Sequence, residues 1–300
     1  MILSITQENG KYPKPDPFMR MRPGNLKEYL KDRARKEDVG ELRRGFEIIG
    51  DIMIIDLPDH LLYLKDDIVE WVKMKHRHIK TILRKTGETK GEYRIAEYEI
   101  LYGSDTETVA REHRCRFRVD VRKAYYSSKL SGERERIARK VREGERVLVM
   151  FAGVGPYAIV IARLSEPSEV IGIELNPEAV RYFQENIKLN KVEGVVKAIQ
   201  GDVRQEVPKL DGKFDRVVMP APYNADEFLH LALLKTKSRG YIHFYTFAGE
   251  EEVEDRKRWI LHEIEKRGFS GFVESFRECG NFAPRVNRYV FDIFISEVPL

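Results

Sequence analysis

Two kinds of hydrophobic run take turns along the second half of the chain. Short, nearly unbroken apolar stretches at Val147–Met150, Val170–Glu174, Val195–Gln200, Phe214–Met219, Tyr241–Phe247 and Tyr289–Ile295 read as strands buried on both faces. Between them, Tyr157–Leu164, Glu178–Asn190, Ala225–Leu234 and Val253–Arg267 read as helices, with a further helix over Glu133–Arg142. Such alternation predicts an α/β domain over residues 131–300, a parallel sheet covered by helices on both faces.

Upstream the pattern is different. Phe46 to Pro58 reads as two short strands broken at Gly50-Asp51, and Leu61–Met74 as a helix. His78–Leu83, Tyr98–Leu101 and Arg116–Val121 read as further strands, so residues 46–130 are expected to form a small α+β domain. Residues 1–45 are expected to be an extension: a lead-in containing Pro13, Pro15, Pro17 and Pro23, then a basic helix within 25–44.

Composition narrows the class. The 300 residues allow one large domain or two ordinary ones, and 42% hydrophobic with 34% charged content describes a soluble globular protein. No run of 18 apolar residues exists, so no membrane partner is expected, and the first residues lack the pattern of a secretory signal. Cys115 and Cys279 are the only cysteines, which suits a reducing cytoplasm. The seven His and two Cys show no ligand spacing, so no metal is expected. Eight Asn and four Gln beside 53 basic and 49 acidic residues suit a heat-adapted organism. A net charge of +4 permits nucleic-acid binding without demonstrating it.

The candidate chemistry begins where the first strand of the α/β domain ends, at Phe151-Ala152-Gly153-Val154-Gly155-Pro156. Ligands of such sheets bind outside the carboxyl ends of the strands, and glycines there let backbone approach closely. The second strand ends at Glu174-Leu175-Asn176-Pro177, where an acid suits ribose hydroxyls; the third is followed by Gly201-Asp202-Val203, where a carboxylate suits an adenine amino group. Ala158 completes a dinucleotide-type glycine spacing, so spacing leaves a dehydrogenase and a methyltransferase both open. Pro156 removes an N–H that a pyrophosphate would use, and Asp202 adds a second carboxylate, which lean toward a nucleoside without phosphates.

The chain resembles the archaeal and eukaryotic tRNA (guanine-N1)-methyltransferases, which modify guanine 37 beside the anticodon. The residues carrying the resemblance span roughly 22–296. They are Ile49-Gly50-Asp51-Ile52, Gly91-Glu92-Tyr93-Arg94, Arg111-Glu112-His113, Phe117-Arg118-Val119-Asp120, the run from Tyr125 to Arg134, Phe151 to Pro156, Glu174 to Pro177, Glu185 to Val192, and Phe214 to Val218. The resemblance implies a class I (Rossmann-like) S-adenosylmethionine-dependent methyltransferase domain behind the small α+β domain. It implies cofactor contacts at Phe151, Gly153, Val154, Gly155, Glu174, Leu175, Asn176, Asp202, Val203 and Pro220. It implies Glu133 as general base, Arg94 as a contact to the guanine, and Tyr125, Lys129, Pro222 and Tyr223 around the base or backbone. The chemistry agrees: N1 must lose a proton to a carboxylate, and an arginine stabilises the charge that grows on O6. The bland readings are that Glu133 is a helix-start acid, that Arg94 is a solvated charge, and that one of Tyr125 and Tyr126 is a packing residue. A sibling family transfers the aminocarboxypropyl group of the same cofactor, but usually lacks the Glu-Leu-Asn-Pro run and the Gly-Glu-Arg helix start. A third reading is a non-catalytic RNA-binding relative with a decayed site.

Three positions depart from the family pattern. Val149 stands where an Asp is usual, Lys129 where Arg is commoner, and Pro220-Ala221-Pro222-Tyr223 replaces an Asn-x-Pro motif. Pro-x-Pro resembles an archaeal branch whose members can be bifunctional, also methylating C7 of the tricyclic wyosine precursor at the same position. The expected partner is the anticodon stem-loop of tRNA, bound by a monomer. Lys27, Lys31, Arg33, Arg35, Lys36, Arg43 and Arg44, and the patch from His76-Arg77-His78 to Arg84-Lys85, are candidate phosphate contacts, with a solvated charged face as the bland alternative.

Overall fold

The structure is a computed structural model and describes residues 24–42, 45–87, 91, 93, 95–221, 223–283 and 285–297. It falls into two compact units, residues 24–42 with 57–77, and residues 45–56 with those from 78 onward. These units differ from the three consecutive segments expected from sequence. Strands of the small sheet share a core with the α/β domain, Ile49, Ile52 and Leu83 clustering with Val147 and Val149.

In the first unit, α1 (Leu26–Lys31) starts at a capping box between Asn25 and Glu28, and α2 (Lys65–Lys75) follows a 3-10 turn at Asp59–Leu64. The helices are tied by Tyr29 donating to Glu70 at 2.9 Å and by the Arg33–Asp67 pair at 3.1 Å. The basic helix expected within 25–44 therefore ends at Lys31. From Asp32 to Asp38 only Ala34 is apolar, so there is no stripe to bury and nothing to sustain a longer helix. Lys27 and Lys31 lie on α1, Arg33 is ion-paired and Arg35 lies over the Tyr63 ring; Arg43 and Arg44 lie outside the described residues.

The second unit opens with a four-stranded sheet, β1 (Phe46–Ile49), β2 (Ile52–Ile55), β3 (Thr81–Lys85) and β4 (Tyr98–Tyr102), in that order. A hairpin follows, β5 (Glu107–Glu112) and β6 (Cys115–Asp120). Its two turn residues, His113 and Arg114, have φ of 46° and 62°, the backbone of a type I′ turn that glycine or asparagine usually takes. Here the His113 ring is fixed instead by Ser131 at the start of α3 (Ser131–Lys140), at 2.8 Å to the hydroxyl.

The large sheet is built from β7 (Arg146–Met150), β8 (Glu169–Glu174), β9 (Val196–Gln200), β10 (Phe214–Met219), β11 (Thr236–Ala248), β12 (Ser270–Ala283) and β13 (Val286–Glu297). The connecting helices are α4 (Pro156–Leu164), α5 (Pro177–Leu189), α6 (Val203–Lys209), α7 (Leu229–Lys235) and α8 (Val253–Lys266). Strand order is β12-β13-β11-β10-β7-β8-β9, parallel from β9 to β11, with β13 antiparallel beside β11. A dinucleotide-binding sheet continues in parallel at that place. The reversed β13 departs from that arrangement. On β7, Val147 and Val149 face one core, and Leu148 and Met150 the other. Val149 is thus a wholly buried packing residue. Among the described residues no helix is long and apolar enough to cross a membrane.

Candidate active site

The loop after β7 is shaped by three residues in the left-handed region, Phe151 (φ 57°), Gly153 (58°) and Gly155 (87°). The two glycines do different work. A Cβ on Gly155 would sit 2.0 Å from the Phe183 ring, so its bare backbone lets α4 close onto α5. A Cβ on Gly153 would meet nothing nearer than the Tyr125 carbonyl at 3.6 Å, so Gly153 keeps open space beside the loop.

Glu174 ends β8 facing this loop. Its carboxylate accepts the Gly153 N–H at 2.7 Å and the Asn176 N–H at 2.9 Å. Burial raises its pKa above the usual glutamate value, and bonds from the Asn176, Gly153 and Leu175 N–H groups oppose that rise. Each oxygen has a further lone pair for a hydroxyl donor. The Asn176 side chain is committed elsewhere: it caps α5 through the Glu178 N–H at 3.0 Å and donates to the Lys123 carbonyl at 2.7 Å. That bond fastens the segment leading to Tyr125. Leu175 is half-buried, and Val154 fully buried.

After β9, Asp202 accepts the Arg204 N–H at 2.8 Å and pairs with the Arg204 guanidinium at 3.3 Å. Arg204 lies over the Phe228 ring at 4.9 Å, and Phe228 meets Phe151 edge-on at 4.9 Å. Phe151 and Phe228 therefore form an aromatic wall, joined through Arg204 to Asp202. Val203, the next residue, is buried. Pro220 is half-buried beyond the end of β10, and Tyr223 meets Phe247 edge-on at 4.7 Å.

Glu133 lies in the first turn of α3 and is buried. Its Oε1 accepts the Tyr245 hydroxyl at 2.6 Å and Arg136 Nη2 at 2.7 Å, and its Oε2 accepts Arg136 Nε at 2.9 Å. The Tyr245 ring packs edge-on against Tyr157, two residues past Gly155, which brings Glu133 behind the cofactor loop. Arg136 also reaches Asp292 at 2.6 Å; Asp292 accepts His243 Nδ1 at 2.6 Å; and the other His243 nitrogen faces Arg216, which pairs with Glu145 at 2.9 Å. Burial would raise the Asp292 pKa, but hydrogen bonds from His243 and Arg136 hold it well below the usual range. Burial lowers the His243 pKa.

Neighbouring contacts fix the approach. Tyr125 is 50% exposed while Tyr126 is 6% exposed, so of the two tyrosines it is Tyr126 that packs. Glu47 on β1 accepts from the Ser127 hydroxyl at 2.8 Å and the Ser128 N–H at 3.0 Å. Arg134 is buried, doubly bonded to Glu112, and donates to the Ser127 carbonyl at 3.0 Å. Lys129 is exposed. Arg94 and Pro222 lie outside the described residues. Arg84, expected among phosphate contacts, is instead buried against Glu99 at 3.0 Å, because β3 is covered on both faces, with Thr81 to Arg84 all buried; in the same patch, Lys80 is ion-paired to Asp51 at 2.9 Å.

Residues 108–269 match the TRM5/TYW2 methyltransferase domain, and residues 26–106 match the TYW2 N-terminal domain. The chain belongs to the TRM5/TYW2 methyltransferase family. It is 38% identical over 265 residues to tRNA (guanine(37)-N(1))-methyltransferase Trm5b of Pyrococcus abyssi, covering 85% of this chain and 77% of that one. It is 35% identical over 270 residues to tRNA(Phe) (4-demethylwyosine(37)-C(7)) aminocarboxypropyltransferase of Pyrococcus horikoshii, covering 89% and 95%. Among solved structures it superposes on aTrm5 in complex with tRNALeu with a TM-score of 0.80 at 32% identity, covering 91% and 78%.

Within this TRM5/TYW2 fold, Arg136, Tyr245, His243 and Asp292 escaped sequence reading. Their signal is a polar residue set inside an apolar strand, as in Tyr241-Ile242-His243-Phe244 and Phe291-Asp292-Ile293. The 156 residues that separate Arg136 from Asp292 hide the pairing.

Proposed function

We propose that the chain transfers the methyl group of S-adenosylmethionine to N1 of guanosine 37 of tRNA. The observation that carries this reading is the Glu133 carboxylate, whose Oε2 accepts a single bond and keeps a lone pair for the guanine N1 proton. Arg136 and the Tyr245 hydroxyl hold that carboxylate in a fixed orientation.

The residues present fit S-adenosylmethionine, which a solved family member holds. Glu174 takes the ribose hydroxyls with its remaining lone pairs, while Gly153 lets the loop come close. Asp202, linked to the Phe151 wall through Arg204 and Phe228, suits an adenine edge, and Phe151 its face. Asn176 serves through its backbone, since its side chain is engaged. When bound, the cofactor supplies a methyl group on a positively charged sulfur. The protein aligns N1 with it, a proximity effect, with Tyr125 holding the base and Arg94 stabilising charge on O6. The enzyme acts on the anticodon stem-loop as a cytoplasmic monomer, with Lys129, Pro222 and Tyr223 on the RNA side.

Mass spectrometry of the anticodon-loop nucleosides after incubation with S-adenosylmethionine and a transcript tRNA tests this. The expected product is 1-methylguanosine at position 37. A guanosine left unchanged overturns the reading.

The match of residues 26–106 to the TYW2 N-terminal domain favours a second reading, aminocarboxypropyl transfer to the wyosine precursor. Its product is far heavier than a methylated one, so the same measurement on precursor-bearing tRNA separates the two. Pro220, with no side-chain amide to hold a guanine edge, supports a further methylation of that precursor at C7, which the same tRNA reports.

A further inference from the structure

Beyond the reaction site, three aromatic rings gather at the carboxyl ends of β10 and β11. Phe247 near the end of β11 and Phe282 near the end of β12 are stacked, with centroids 4.1 Å apart and planes at 28°. Tyr223, three residues beyond Pro220, stands edge-on to both, at 4.7 and 5.5 Å. One side of Phe282 is covered by Phe247, yet the residue is 49% exposed. The guanidinium of Arg288, the cross-strand neighbour of Phe247, lies 5.6 Å over that ring, and its Nε is buried without an acceptor among the described residues.

Charge says what such a surface receives. From Phe276 to Arg288 the hairpin carries Arg277, Arg285 and Arg288 against Glu278 alone, and Glu278 accepts a bond from Asn287 at 2.9 Å. Open aromatic faces set among arginines are how proteins hold unpaired bases without reading their sequence. The cluster also lies at the strand ends from which the Phe151 loop emerges, the edge where such sheets take ligands. A protein partner would call for a continuous apolar patch rather than a small group of rings with a guanidinium over one of them.

We propose that Phe282, Phe247 and Tyr223, backed by Arg288, form a stacking shelf for an unpaired nucleobase flanking the one that enters the reaction site. The shelf rests on the RNA-modifying reading. A base stacked on Phe282 would hold the loop strand open while its neighbour turns toward Glu133, and Arg288 would meet the adjoining phosphate.

Fluorescence anisotropy with a labelled synthetic anticodon stem-loop tests the shelf, using wild type, Phe282→Ala and Phe282→Trp. The alanine variant is expected to weaken binding about five- to a hundredfold, while the tryptophan variant binds like wild type. Affinity for S-adenosylmethionine should be unchanged in all three. An abasic residue beside position 37 should weaken the wild type but cost Phe282→Ala nothing further. Wild type that binds and methylates the stem-loop while Phe282→Ala binds it equally well overturns the shelf alone. A wild type that fails to bind the stem-loop overturns the shelf and the RNA reading together.

Discussion

The side-chain amide of Asn186 on α5 replaces a strand partner for Arg118 on β6. Its Oδ1 accepts the Arg118 N–H at 2.7 Å and its Nδ2 donates to the Arg118 carbonyl at 3.0 Å. One turn on, Asn190 does the same for Arg116, at 2.8 and 2.7 Å. Residues four apart on a helix thus pair with residues two apart on a strand, closing an edge that no other strand covers among the described residues. The Asn186 Nδ2 also reaches the Val154 carbonyl at 3.1 Å, so one amide joins the hairpin to the cofactor loop.

Asn186→Ala orphans three backbone groups, each costing roughly 1–3 kcal/mol if left buried. The variant is expected to lose at least about 2 kcal/mol in urea unfolding and to bind S-adenosylmethionine more weakly by calorimetry. Asn190→Ala, which leaves Val154 alone, should lose stability without the affinity change. Equal affinities in both variants would show that the loop does not depend on Asn186.

Glu133→Gln keeps the size of the side chain and an acceptor for Tyr245, but removes the base. In single-turnover kinetics the methyl-transfer rate is expected to fall about 10²- to 10⁴-fold, with cofactor affinity within about twofold. A rate near that of wild type would return Glu133 to the role of a helix-start acid.

The Phe151–Pro156 loop, the βα alternation and the acid at Glu174 were legible because each depends on local pattern. What was not legible depends on partners far along the chain. Strand β12 is mostly exposed with several breaks in register, so its sequence shows no alternation; it is a strand because β13 holds it. Strand β5 reads Glu-Thr-Val-Ala-Arg-Glu, too polar to announce itself. Helix α6 has Pro208 in its last turn and buries only Val203 and Val207, too little for a stripe. The site divides the same way. Glycine and acid positions follow the loop, whereas Glu133 acquires Tyr245, and its helix neighbour Arg136 acquires Asp292, only in three dimensions.

Stability should fall in acid in two stages. The His243 pKa is lowered by burial, and its Nε2 faces an Arg216 N–H, so the native state favours the neutral ring. A lowered folded pKa contributes stability that is complete above the unfolded value, about 6.5, and is lost as pH falls below it. Asp292, held well below its usual range, adds a second loss beginning below about 4. Melting temperatures between pH 8 and 3 check both, and His243→Gln should flatten the first stage and shrink the second, which then rests on Arg136. A first stage of undiminished size in that variant would assign the loss to other groups.

The two loop glycines should fail in different ways. Gly155→Ala puts a methyl group into the Phe183 ring at a φ of 87°, so α4 must move off α5. The expected loss is about 2 kcal/mol or more in stability, with cofactor binding lost alongside. Gly153→Ala meets no clash and carries only the left-handed backbone cost of about 1–2 kcal/mol. Its methyl group would stand in the space beside Glu174 and Tyr125, so its larger effect is expected on affinity: a Kd for S-adenosylmethionine raised at least about tenfold while the fold persists. Calorimetry beside circular dichroism separates these outcomes. A Gly153→Ala protein that binds the cofactor as wild type does would move the cofactor away from this loop, and with it the assignments of Glu174 and Asp202.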